Sequence, residues 1–310
     1  MKKYKVAVLL STYNPARQYL CEQVDSLLNQ SYPVDLIIRD DGSTDRKHYC
    51  ELEKYSQYEN VYVIYGSNKG VFGSFMELLV YAKTKEYNFV GFSDQDDIAL
   101  PYKVQRAVSM LSKYSDAVPL LYFSQMQYVD ENLNKMGMPN INSSKLTLKN
   151  ALFESSINGN LMFINRQALD IVTMSYPNTY SMHDWWVYVC VSAFGMVLYD
   201  DEVTLLYRQH NHNVVGGTSS FLKLSIMRIR RLINSETEIY PIYAQAKDFA
   251  SQFDGKINMS SDTQKILDNL LRSKVNFIKR IKYAFSRDNF QRQKSVDNLL
   301  LRFMILLNFY

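Results

Sequence analysis

A chain of 310 residues with 47% hydrophobic and 21% charged residues can bury a sizeable core, so it needs no disulfide or metal staple to fold, and global disorder is excluded. The net charge of +4 hides an asymmetry: residues 1–220 hold 19 basic against 23 acidic side chains (net −4), and residues 221–310 hold 16 against 8 (net +8). Cys21, Cys50 and Cys190 are far apart, form no CxxC pair and leave an odd one over, which fits a reducing compartment.

The opening MKKYKVAVLLSTYN has a basic start, but its apolar run is too short for a signal peptide and passes straight into polar STYNP. It reads as a first strand. No stretch approaches about 20 uninterrupted apolar residues, so no transmembrane helix is expected and a cytoplasmic protein follows. Further strands are predicted at 34–40, 61–66, 87–94 and 119–125, rich in Val, Ile, Tyr and Phe. Helical spacing fills 19–30, 74–85 and 101–114. Such alternation predicts an α/β fold, a doubly wound and mostly parallel central sheet, with ligands at the carboxyl ends of the strands. Residues 126–150 read as a polar loop contributing to an acceptor site, 158–166 and 196–210 as strand-bearing, and 183–194 as a helix. From about residue 218 onward the pattern is helical and basic.

Three strand ends are unusual. SDQDD crowds Asp94, Asp96 and Asp97 at a strand terminus, where like charges a few ångströms apart repel by ~1 kcal/mol in water and more when partly buried. A hard divalent cation that shares a substrate diphosphate would offset them. The alternative is a solvated turn in which Asp97 caps the following helix. RDDGSTD is either an ordinary turn or a place where Asp40 accepts from a uracil or thymine N–H or from ribose hydroxyls. NKGVFGSF is either a helix start or a flexible backbone whose amides face a ligand.

STYN, RDDGSTD, NKGVFGSF and SDQDD stand in one order over residues 5–100, followed by NGNLMFINR, HDWWVYVC and YRQHNHNVVG. This ordered set resembles the inverting glycosyltransferases of family 2, with the GT-A nucleotide-sugar-binding fold. It looks most like their bacterial rhamnosyltransferase-like branch. The resemblance implies that Thr12, Tyr13, Asn14 and Asp41 line the nucleotide pocket, with Asp40 contacting the base or positioning its loop, and that Asn68 and Gly70 face the donor. It implies further that Asp94 contacts ribose or metal, and that Asp96 binds a Mn²⁺ or Mg²⁺ bridging the diphosphate. His210 stands where relatives place a metal ligand, with His212 a weaker candidate of that kind; either is otherwise a surface loop histidine. Arg208 neutralises a phosphate or pairs with a nearby acid. In HDWW, Asp184 is the implied general base, Trp185 and Trp186 stack on acceptor sugars or pack in the core, and His183 orients Asp184 or simply starts the helix.

The expected division is a GT-A catalytic domain over 1–217 and a basic helical region over 218–310. In the latter, 219–233 carries an apolar stripe among basic residues, and 262–284 and 291–309 repeat the mixture. It suits the cytoplasmic face of an anionic membrane, or else packing on the catalytic domain or against a second subunit, a homodimer; nucleic acid is a poorer fit because aliphatics interrupt the charge. The implied activity is metal-dependent, inverting transfer of L-rhamnose from dTDP-rhamnose to a lipid-linked or growing cell-wall or capsular polysaccharide. A UDP-sugar donor and a catalytically silent nucleotide-sugar-binding subunit are the alternatives.

Overall fold

Runs of apolar residues with no polar alternation need cover on both faces, and the chain supplies it. In the computed structural model, which describes residues 4–45, 48–179, 182–209, 242–286 and 289–310, the elements follow as β1 (Val6–Thr12), α1 (Arg17–Leu28), β2 (Asp35–Asp40), α2 (Tyr49–Tyr55), β3 (Val61–Tyr65), α3 (Gly70–Lys83) and β4 (Phe89–Ser93). Next come β5 (Ile98–Ala99), α4 (Lys103–Leu111), β6 (Leu120–Val129), β7 (Lys135–Gly137), α5 (Leu148–Ala151), β8 (Met162–Asn165), α6 (Arg166–Val172), α7 (His183–Phe194) and β9 (Met196–Arg208). The described helices of the last part are α8 (Ile242–Phe253), α9 (Ser261–Ser273), α10 (Phe277–Phe285) and α11 (Ser295–Leu306).

The described strands form one sheet in the order β3-β2-β1-β4-β8-β6-β9-β5, with β7 paired to β6. Its first part is parallel throughout: β1 pairs with β2 and β4, and β2 with β3. Chain order reverses at β1, which opens a crevice at the carboxyl ends of its neighbours. Register brings those ends level, with Thr12 opposite Asp40 and Leu10 opposite Ser93. Beyond β4 the sheet is mixed, because β8 runs antiparallel to β4 and β6. That reversal matters for the site: an antiparallel β8 carries the turn before it, Gly159–Leu161, to the carboxyl end of β4. In the same way β9, antiparallel to β5, ends at Arg208 beside the acidic turn.

Two compact units divide the chain. One holds the described residues of Met1–Asn140, Ile157–Tyr176 and Ser181–His210; the other holds those of Ile141–Ser156, Pro177–Tyr180 and Asn211–Tyr310. The polar stretch after residue 125 is therefore more than a loop. Residues 126–129 extend β6, and from Ile141 the chain joins the second unit, where Asn150 and Glu154 bond to the backbone of Gln291 and Gln293. The boundary expected near 217 and the helix expected over 219–233 lie outside the described residues. The three cysteines are free. Among the described residues no helix is long and apolar enough to cross a membrane.

Candidate active site

The end of β1 turns sharply to build its loop. Asn14 takes φ +43°, a left-handed conformation that Asn tolerates better than most residues, and its Oδ1 accepts from the N–H of Thr44 (2.9 Å) and Asp45 (3.1 Å). Thr12 is buried and donates to Gln95 Oε1 at 2.9 Å, while the exposed Tyr13 gives its backbone N–H to the same oxygen at 2.8 Å. Gln95, between the candidate metal ligands, thus ties the β1 loop to the acidic turn.

The loop after β2 is organised from within. Asp40 is fully buried and accepts from Ser43 N (3.0 Å), Ser43 Oγ (2.6 Å), His48 Nε2 (2.9 Å) and Tyr49 OH (3.1 Å). Burial alone would raise its pKa, but these donors outweigh it and hold the carboxyl below its ordinary value. Both Asp40 oxygens are occupied by the protein, so a direct base contact through this carboxyl does not fit; it holds the loop. Asp41 is also buried, gripped by Arg39 and by the N–H of Lys69 at 2.9 Å. Gly42 (φ +72°) lets the next turn close in, since a Cβ there would stand 2.6 Å from Asn68 N. Asn68 and Gly70 are exposed at the start of α3, with Gly70 donating to Asn68 Oδ1 at 3.1 Å.

The acidic turn separates its members by environment. Asp97 is fully buried and accepts from Asn160 Nδ2 at 2.6 Å and from Arg208 N at 3.1 Å; burial, then the charges of Asp94 and Asp96, push its pKa well up. Asp94 is half-buried, and its carboxyl is pushed up to about 7, by burial first, then by the charges of Asp96 and Asp184, with Lys103 pulling it back. Lys103 is buried with its ammonium on the Asn160 carbonyl; burial lowers its pKa to about 8 against the pull of Asp97 and Asp94.

Asp184 occupies the second position of α7. Its Oδ1 accepts from Trp185 N at 2.7 Å and its Oδ2 from Gly159 N at 3.2 Å. Burial raises its pKa to about 6 against those backbone donors. His183 is 3% exposed and stacked on Phe75, with ring centroids 3.7 Å apart. Neither of its ring nitrogens has a hydrogen-bond partner, and burial drives its pKa down to about 3, so it is neutral. A Cβ on Gly159 would meet His183 Nε2 at 2.6 Å and Asp184 Cβ at 3.3 Å. Only glycine lets this backbone N–H reach the carboxylate.

Several expectations change. Trp186 is fully buried and donates its indole N–H to Val172 O at 3.1 Å, so it packs in the core; Trp185 is half-buried. His183 is likewise too buried to meet an acceptor. Arg208 is 1% exposed, ion-paired with Glu22, stacked over Tyr19 at 4.2 Å, and bonded to the carbonyls of Asp96 and Glu131 at 3.1 Å each. Of its two readings, pairing with an acid is the one the geometry fits, and it braces the turn. His210 and His212 lie outside the described residues. Among the described residues no three His, Cys, Asp or Glu side chains converge as a metal cluster. Gln95, Lys103, Gly159 and Asn160 join the site without having been singled out from sequence.

Comparison with known proteins fits this geometry. The family description "Glycosyl transferase family 2" matches residues 7–171, from β1 to α6. The dTDP-rhamnosyl transferase RfbG of Shigella flexneri is 28% identical over 229 residues, 68% of this chain and 75% of that protein. The UDP-Glc:alpha-D-GlcNAc-diphosphoundecaprenol beta-1,3-glucosyltransferase WfgD of Escherichia coli is 30% identical over 114 residues, 36% of this chain and 43% of that protein. S. aureus TarS in complex with UDP-GlcNAc shares the fold, GT-A, at TM-score 0.54 and 18% identity, over 98% of this chain and 91% of that chain. With more than half of its length matched and this fold around the matched motifs, the chain is a glycosyltransferase and belongs to glycosyl transferase family 2.

Proposed function

We propose that the enzyme is an inverting transferase that moves L-rhamnose from dTDP-rhamnose to a hydroxyl of a lipid-linked or growing cell-wall or capsular glycan. One observation carries the mechanism: Asp184, at the start of α7, is near enough to Asp94, at the end of β4, for its charge to raise that carboxyl. The turn Gly159–Leu161 supports that pairing, since Gly159 N donates to Asp184 and Asn160 Nδ2 to Asp97 of the acidic turn. The acceptor hydroxyl gives its proton to Asp184 while its oxygen attacks the anomeric carbon. The bond from that carbon to the diphosphate breaks on the opposite face, and its electron pair leaves with the nucleoside diphosphate. A pKa of about 6 leaves Asp184 ionised at neutral pH while keeping it basic enough to act. Each of its oxygens accepts one backbone N–H, which leaves lone pairs for the hydroxyl.

Thr12, Tyr13, Asn14 and Asp41 would line the nucleotide, Asp40 would hold their loop, and Asn68 with Gly70 would bring the α3 amides to the donor. Trp185 is the remaining aromatic for the acceptor. The donor set suits Mn²⁺ or Mg²⁺: Asp94 and Asp96 offer hard oxygens at positions i and i+2, and the Asp94 carboxyl, raised by burial first and then by the charges of Asp96 and Asp184, would be eased by a cation beside it. Bound there, such an ion would neutralise the departing diphosphate. The likeness to RfbG supports a dTDP-sugar, and the shorter likeness to WfgD favours a UDP-sugar as the second reading.

Calorimetric titration with dTDP and UDP, in Mn²⁺ and then in chelator, tests this reading on wild type and Asp96→Ala. The expected result is dTDP binding that disappears in chelator and in the variant. Tighter UDP binding replaces the donor, and no binding of either by folded protein overturns the proposal.

A further inference from the structure

Among the described residues, large apolar side chains on the last two helices are exposed, and no step of sugar transfer uses them. On α10, Phe277, Ile278 and Phe285 are 60–65% exposed. On α11, Val296, Leu299 and Phe303 are 56–62% exposed and follow one another at i, i+3 and i+7, a single stripe; Leu301, Met304 and Ile305 of the same helix are buried. A helix apolar on both its inner and outer faces calls for a second cover.

Charge identifies the cover. Lys279 and Lys282 are exposed along α10, and Lys294 is exposed at the start of α11. Residues 274–310 contain eight Lys or Arg against two Asp, and one of each sign, Arg292 and Asp297, is buried. A second copy of the chain presenting the same face would set positive charge against positive charge. An anionic lipid surface supplies counter-charge at the headgroups and an apolar layer just beneath them.

We infer that α10 and α11 form a docking face for an anionic bilayer surface, with Ile278 and Phe303 entering the headgroup boundary and Lys279 and Lys282 resting on lipid phosphates. The inference stands apart from the donor and the chemistry, because none of these residues belongs to the transfer site.

Flotation of the full chain with phosphatidylcholine vesicles, with and without phosphatidylglycerol, tests it. Wild type is expected to float only with the anionic vesicles and to be released by salt. Lys279→Gln/Lys282→Gln should lower the partition coefficient about thirtyfold. Ile278→Ser/Phe303→Ser should lower it at least about a hundredfold. Both variants should retain the nucleotide binding of wild type, which separates this outcome from misfolding. Folded wild type that ignores anionic vesicles, or floats equally with neutral ones, overturns the inference. So does a wild-type dimer that Ile278→Ser/Phe303→Ser converts to monomer without any vesicle binding, since the face would then belong to a second copy.

Discussion

Asp184 is caught between burial, which disfavours its charge, and two backbone N–H groups, which favour it. Burial wins, and the carboxyl of this proposed base is pushed up to about 6. Turnover at saturating donor should therefore fall as pH drops through about 6, which a pH–rate profile reads directly. Gly159 sets the aim of this carboxylate. Gly159→Ala would drive a methyl into His183 and the Asp184 Cβ, so turnover should fall about a hundredfold while nucleotide affinity changes little, as steady-state kinetics and calorimetry would show. Asp184 was singled out through the family resemblance of HDWW, because an acid in the first turn of a helix is otherwise an ordinary partner of the helix dipole. Gly159 was not, because Asn-Gly-Asn reads equally well as a turn. Lys103 was hidden for another reason: within PYKVQRAV a lysine looks like the polar face of an amphipathic helix, and only the sheet shows it buried beneath the acids.

The acidic turn is held by elements distant in sequence. Arg208, closing β9, bonds to Asp96 O, Asp97 Oδ1 and Glu131 O and pairs with Glu22 on α1. Arg208→Ala keeps only the backbone bond and frees the carbonyls of Asp96 and Glu131, while Glu22 stays one-third exposed and bonded to Gln18, so it should cost about 1–3 kcal/mol in urea unfolding and weaken nucleotide binding. Parallel strands β1 to β4 could be read as uninterrupted apolar runs with helical patterns between them, and so could the crevice at their ends. The pairing of β8 could not, since three apolar residues and an asparagine carry no sign of their partner or direction. Nor could the inner and outer tryptophans of α7 be told apart: nine of its twelve residues are buried, so periodicity marks no solvent face. The short α2 and α5 fall below the length at which spacing is informative.

At the scale of the molecule, the charge division between the chain's two ends, plain in composition, survives as a division of labour: acids gather at the strand ends, and lysines with bare aliphatics gather on α10 and α11. The acids carry a stability cost. Asp184 titrates near 6 folded against an ordinary 3.8, so the folded state binds its proton more tightly than the unfolded state. Below pH 4 both states are protonated and nothing is lost. Between about 4 and 6 the folded state loses ground, and above that the loss is complete. The stability of Asp184→Asn relative to wild type should therefore rise by up to about 3 kcal/mol between pH 4 and pH 7, as paired urea titrations would show. The proposed catalytic role and fold stability pull apart at this carboxyl. The most direct test of the account is nucleoside diphosphate release from saturating donor by wild type and Asp184→Asn, with donor affinity measured on both. The account predicts unchanged affinity and release slowed by about a hundredfold to ten-thousandfold. Release at the wild-type rate by a variant that binds donor normally would contradict it.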